Sequence, residues 1–175
     1  SDNDAVQTTP ANQPKIVEGG TYLEEVDFDG TQYFESIAGG ILTNIQNTYS
    51  IWLGKRRNNT VGYLSQASSA AGGSNRLYLR YGLCTIGAEA VGVSINAQND
   101  IDTLISLVGS GGTYNGFKNS ADVNDTETTA STGAGAFTLG AASNGNTPVD
   151  GTLKEFIIYD SDQSTKRRAI EENIA

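Results

Sequence analysis

The stretch that most limits what this chain can become is residues 150–160, followed at once by residues 161–175. Asp150-Gly151 is a pair favoured where the backbone turns or takes a positive φ. Simple alternation from there places Leu153, Glu155, Ile157 and Tyr159 on one face and Lys154, Phe156 and Ile158 on the other, so that beyond Glu155 both faces are apolar. A strand of that kind is expected in the interior of a sheet covered on both sides. After a polar break, Ser164 is the expected N-cap of a short helix over residues 165–174, with Ile170 and Ile174 on one stripe. The charges of that helix oppose its dipole, since Lys166, Arg167 and Arg168 open it and Glu171 and Glu172 close it. The Arg167/Glu171 and Arg168/Glu172 pairs run in the weaker order. Docking through Ala169, Ile170 and Ile174 is therefore expected to hold the helix in place.

The rest of the chain is a succession of short apolar runs separated by turn residues. Gly occupies 21 of 175 positions and Pro only 3, and no shift in composition divides the sequence. The pattern predicts one all-β domain over residues 15–175, with residues 1–14 as an extended N-terminal arm or linker end. Gly19-Gly20 and Asp29-Gly30 read as turns around a strand from Tyr22 to Phe28. Tyr49, Ile51 and Leu53 alternate with Ser50 and Trp52, and Trp52, in mid-strand, reads as core filling. Residues 55–59 read as a basic, solvated hairpin tip. Leu77, Leu79 and Tyr81 alternate with Arg76, Tyr78 and Arg80, and Val91, Val93 and Ile95 repeat the period of two. Residues 104–108 and 114–117 flank Gly109-Ser110-Gly111-Gly112 as a hairpin, and residues 121–128 and 137–139 supply further strands. The predicted architecture is a two-sheet antiparallel jelly-roll sandwich with a short C-terminal helix.

Several segments resemble the landmarks of laminin-G-like jelly rolls of the concanavalin A-like lectin/glucanase superfamily. Asn12-Gln13-Pro14-Lys15-Ile16-Val17 and Val26-Asp27-Phe28-Asp29-Gly30 look like its opening strands, Tyr49-Ser50-Ile51-Trp52-Leu53 like its aromatic core strand, and Phe137-Thr138-Leu139-Gly140-Ala141 like its penultimate strand. The closing strand ending Ile158-Tyr159-Asp160 and the helix behind it complete the likeness. The form it most resembles occurs on bacteriophage virion and tail proteins. The resemblance implies a non-catalytic recognition or adhesion module at a virion surface or outside the cell, in a tail, fibre or capsid decoration, with host-surface carbohydrate as partner. A structural subunit contacting its neighbours, and behind it a glycoside hydrolase, are the alternatives.

Net charge is −9 and there is no His. A phosphate backbone is repelled, which argues against nucleic acid, and the commonest general base and zinc ligand is missing. Cys84 stands alone, so no internal disulfide forms, and it reads as a small core hydrophobe. No apolar run is long enough to insert in a membrane. A chain that begins at Ser1 and contains no Met reads as a mature or excised piece, with homo-oligomerisation left open.

The acidic strand Glu25-Val26-Asp27-Phe28-Asp29 resembles the strand on which glucanases of the same superfamily present an acid and a nucleophile. Residues two apart share a face, but Asp29 starts an Asp-Gly turn, and the preferred reading has Val26 and Phe28 inward and the acids outward. Gly109-Ser110-Gly111-Gly112 lacks the Gly-Lys-Ser/Thr ending and the helix of a phosphate loop. Calcium is a candidate ligand at Asn96, Asn99, Asp100 and Asp102, at Asp122, Asn124 and Asp125, and at Asp150, which offer hard oxygens without EF-hand spacing. For glycan, which needs planar apolar faces beside paired amides or carboxylates, the candidate residues are Tyr114 with Asn115, Asn99 with Asp100, and Asn144 with Asn146.

Overall fold

The computed structural model describes residues 5–36, 45–57, 62–68, 76–80, 83–86, 92–93, 95, 99–128, 136–142 and 145–174. They build two seven-stranded sheets. Sheet A runs, edge to edge, β1 (Ala5–Val6), β4 (Phe34–Ser36), β13 (Ala136–Leu139), β6 (Tyr63–Ser68), β7 (Arg76–Arg80), β8 (Leu83–Ile86) and β9 (Gly92–Val93). Sheet B runs β12 (Ala121–Thr128), β11 (Thr113–Lys118), β10 (Thr103–Ser110), β5 (Tyr49–Arg56), β14 (Asp150–Tyr159), β3 (Thr21–Asp29) and β2 (Lys15–Glu18). Each of these neighbours pairs antiparallel. A short helix, α1 (Arg167–Glu172), follows β14. The all-β jelly-roll sandwich read from the sequence is the observed architecture.

Turn chemistry sets the register. In the β10–β11 hairpin Ser110 faces Thr113, and the two residues between them, Gly111 and Gly112, have φ of +57° and +84°. That is the geometry a two-residue loop needs to match strand twist. The basic segment does not form a hairpin tip, because Lys55 and Arg56 end β5 in sheet B and the next strand, β6, lies in sheet A. The expected arm over residues 1–14 is, from Ala5 onward, tied into the body. Ala5–Val6 pairs with β4, Gln7 Nε2 donates to the Tyr33 carbonyl at 3.0 Å, and Tyr33 N–H donates to the Asn12 carbonyl at 3.1 Å. Residues 7–14 thus bridge an edge of sheet A to an edge of sheet B.

The core between the sheets gathers Phe28, Trp52, Ile105, Leu107, Tyr114 and Leu153 from sheet B and Leu79 and Val93 from sheet A. Trp52 is buried, as expected, with its ring 5.9 Å from that of Phe156 on the neighbouring strand. Phe28 meets Phe34 edge-on across the two sheets, at 6.4 Å.

β14 lies between β5 and β3, inside sheet B, and from Phe156 onward both its faces are packed. Phe156 and Ile158 join the core between the sheets, while Ile157 and Tyr159 lie on the outer face with Tyr49, Ile51, Leu104 and Val108, beneath Ile170 and Ile174. Two expectations need correction. Register against β5 shifts between Leu153 and Glu155, so Lys154 is an extra residue and Leu153 points inward with Phe156 rather than outward with Ile157. The helix starts after Lys166 rather than after a Ser164 cap, and Ala169 is exposed. The buried residue of α1 is Glu171.

Candidate functional site

Helix α1 covers only part of the outer face of sheet B. The rest of that face, where β3 and β5 end and β14 begins, is ionic. Val26 and Phe28 are turned into the core, so alternation turns Glu25, Asp27 and Asp29 outward on β3. Thr152 of β14 sits opposite Asp27 on one side and Lys55 of β5 on the other, which lines the three up across adjacent strands.

The charges interlock across these strands. Lys55 Nζ lies 3.4 Å from Glu25 Oε1, and the buried Thr152 hydroxyl donates to Glu25 Oε2 at 3.0 Å. Arg57 bonds the Asp27 carboxylate through one terminal nitrogen, and through the other bonds Asp150 Oδ1 at 3.2 Å and the Phe28 carbonyl at 3.2 Å. Burial opposes the charge on Arg57, but the hydrogen bonds to Asp27 and Asp150 outweigh it and raise its pKa above the ordinary arginine value. At the margin Lys154 Nζ lies 2.5 Å from Asp102 Oδ2, a hydrogen bond that raises the lysine pKa and ties the segment before β10 to β14.

Glu25 and Asp27 are largely sheltered, with side chains 17% and 15% exposed. The result is a set of carboxylate oxygens held in fixed orientation at strand spacing, beside cations whose charge they already share. Such an array accepts hydrogen bonds from vicinal hydroxyls without first having to become ordered.

The expected glycan residues separate into two groups. Tyr114 is 1% exposed and belongs to the core, its ring packed against Gly109, so it offers no face to a ligand. Asn115 is half-buried on β11 opposite Val108, at the end of β10 away from the ionic cluster. Asn99 and Asp100 are exposed just before β10, close in sequence to Asp102, and the length of β10 sets them on the order of 20 Å from Asn115. Asn146 is exposed in the loop that leads to β14, at the same end as the ionic cluster. Asn144 lies outside the described residues. Asn99 and Asp100 shortly precede Asp102, and Asn146 shortly precedes Asp150, whereas Tyr114 and Asn115 lie away from the ionic end.

For calcium, Asn96 lies outside the described residues. Asp102 and Asp150 are paired with Lys154 and Arg57, and Asp122 Oδ1 accepts the Asn124 N–H at 2.7 Å. Among the described residues no group of three or more His, Cys, Asp or Glu side chains is placed to hold a metal ion.

Lys55 and Arg57 are the residues that sequence reasoning missed as parts of a site. Their signal was present, a basic pair at period two complementary to the acidic period of two on β3, but the register joining the strands was not.

No family model and no curated protein matches the sequence. Solved structures do. Domain 4 of AbnA, a GH43 extracellular arabinanase from Geobacillus stearothermophilus in complex with arabinotriose, aligns with a TM-score of 0.58 over 90% of this chain and 79% of that domain, at 14% identity. What these chains share with this one is the fold, a two-sheet antiparallel jelly-roll sandwich. The Trypanosoma rangeli sialidase in complex with sialic acid aligns with a TM-score of 0.61 over 85% of this chain at 12% identity, and NanB with Optactamide with a TM-score of 0.60 over 83% at 12% identity. This chain spans only 27% of each of those two proteins.

These neighbours overturn the expectation of a non-catalytic phage module. They are chains of carbohydrate-processing enzymes, none of them a phage protein. The expectation that the chain stands apart from enzymes falls with it.

Proposed function

We propose that this chain works in carbohydrate processing, as a glycan-engaging domain of a carbohydrate-active enzyme. The observation that carries the reading is the ionic cluster on sheet B, where Glu25, Asp27 and Asp150 are held in place by Lys55, Arg57 and Thr152. Two features of the neighbours support it. One is a single domain of similar extent in complex with arabinotriose, and the sialidases contain this fold as a fraction of a longer enzyme.

In this reading the carboxylates accept from sugar hydroxyls, and the remaining N–H groups of Arg57 donate to ring or hydroxyl oxygens. Asn99, Asp100 and Asn146 flank the bound chain at the rim. Glycan-array screening of the purified chain beside its Arg57→Ala variant tests the reading. Binding by the parent and its loss in a folded variant is the expected result, and an array blank for the parent refutes it.

A further inference from the structure

We infer that the glycan taken by this face is neutral, rich in free vicinal hydroxyls, and not a uronate- or sialate-bearing chain. The inference rests on the glycan reading above and narrows it, since the neighbours are bound to both a neutral pentose oligomer and an acidic sugar.

The argument is one of charge balance and partner supply. A sugar carboxylate needs a cation able to turn toward it, and recognition of carboxylates relies on the paired donors of a guanidinium. In this cluster the guanidinium, that of Arg57, is clamped between Asp27 and Asp150 and also donates to the Phe28 carbonyl. Lys55 is held by Glu25, and Lys154 by Asp102. Each cation of the cluster has a carboxylate of its own, and Asp29 and Glu155 add further negative charge at its margin. An incoming anionic sugar would have to displace an internal carboxylate and leave it beside like charges. The whole chain, at −9, adds a repulsive field at longer range. A neutral sugar meets no such penalty, because hydroxyls donate to the carboxylates while the ion pairs stay closed.

The Asp150→Asn variant isolates the mechanism. It removes one of the two negative charges that neutralise the Arg57 guanidinium while keeping the side chain's shape, at a site that is about one-third exposed. Calorimetric titration of the intact chain with an arabinose trisaccharide and other neutral oligosaccharides is compared with sialyllactose and galacturonate oligomers at low and moderate salt. The expected result is at least tenfold tighter binding to a neutral chain, little dependence on salt, and a narrower gap in Asp150→Asn as acidic glycans gain affinity. Equal or tighter binding of the acidic glycans by the parent chain, weakening as salt rises, overturns the preference while leaving glycan binding intact. Absence of heat with both classes removes the glycan reading itself, and the preference with it.

Discussion

The Tyr49 hydroxyl, at the start of β5, donates to the Glu171 carboxylate of α1 at 3.2 Å, joining residues 122 positions apart in the chain. Ser106 Oγ donates to the same carboxylate oxygen, and Arg167 approaches the other at 2.5 Å while its guanidinium lies 3.7 Å from the centre of the Phe117 ring. Glu171 is fully buried. The helix is therefore fastened by a buried ionic knot as well as by Ile170 and Ile174.

Removing the carboxylate should be costly. Glu171→Ala leaves the Tyr49 and Ser106 hydroxyls and the Arg167 guanidinium without their partner in a dry site. The expected loss is about 3 kcal/mol, or a fall in Tm on the order of 10 °C. Differential scanning calorimetry checks it, and an unchanged Tm would refute the role assigned to the knot.

The same group makes stability depend on pH. Burial by itself pushes the Glu171 carboxyl up, but hydrogen bonds from Ser106, Arg167 and Ser120, with the Arg167 charge, hold it below its ordinary value. Burial and then the neighbouring Glu171 charge raise the Tyr49 hydroxyl well above the usual tyrosine range, so it stays protonated as a donor. A carboxyl depressed in the folded state stabilises the fold above its unfolded pKa, about 4.3, and that contribution fades as pH falls through the folded value. The Tm gap between the parent chain and Glu171→Gln should therefore be full at pH 6 and shrink toward pH 3. A gap that stays constant over this range contradicts the assignment.

Ile170 is the apolar half of the attachment. Ile170→Asp places a charge against Tyr49, Ile51 and Leu104 and should release α1 while leaving the sandwich folded. Hydrogen exchange is the suitable measurement. Faster exchange confined to α1 and the adjoining outer strands is expected, and unchanged protection of residues 167–174 would show that the helix is held by other means.

A glycine after β13 is expected to be equally unforgiving. Gly140 has φ of +88°, and a Cβ there would lie 2.3 Å from the Phe28 ring and 2.9 Å from the Gln32 carbonyl oxygen. Gly140→Ala combines backbone strain with a clash against a core aromatic, and should cost about 3 kcal/mol or more. Chemical denaturation gives the value; a loss below about 1 kcal/mol would mean that Phe28 repacks freely.

The architecture was largely legible because period-two patterns and Gly-centred turns are local. Residues 104–117 show this, their hairpin following from two apolar runs around Gly109-Ser110-Gly111-Gly112. The closing strand was legible as an interior strand, but the bulge at Lys154 was not, since an extra residue inverts the phase without changing the composition. Glu171 read only as a closing helix charge paired with Arg167, because nothing nearby in sequence announces Tyr49 or Ser106. The candidate site was legible in its halves, acids outward on β3 and bases at the end of β5, and illegible as a whole. Only the register that sets Thr152 between Asp27 and Lys55 joins them. Tyr114 misled because an aromatic beside an Asn in a hairpin looks like a rim residue, while its strand turns it inward.

The most direct test of the account is a map of where a glycan sits. Amide chemical-shift changes in the labelled chain, titrated with a neutral arabinose trisaccharide, should cluster on Glu25, Asp27, Lys55, Arg57, Asp150 and Thr152, with weaker changes at Asn99 and Asp100. Changes confined to sheet A, or to the β10–β11 turn beside Asn115, would contradict it.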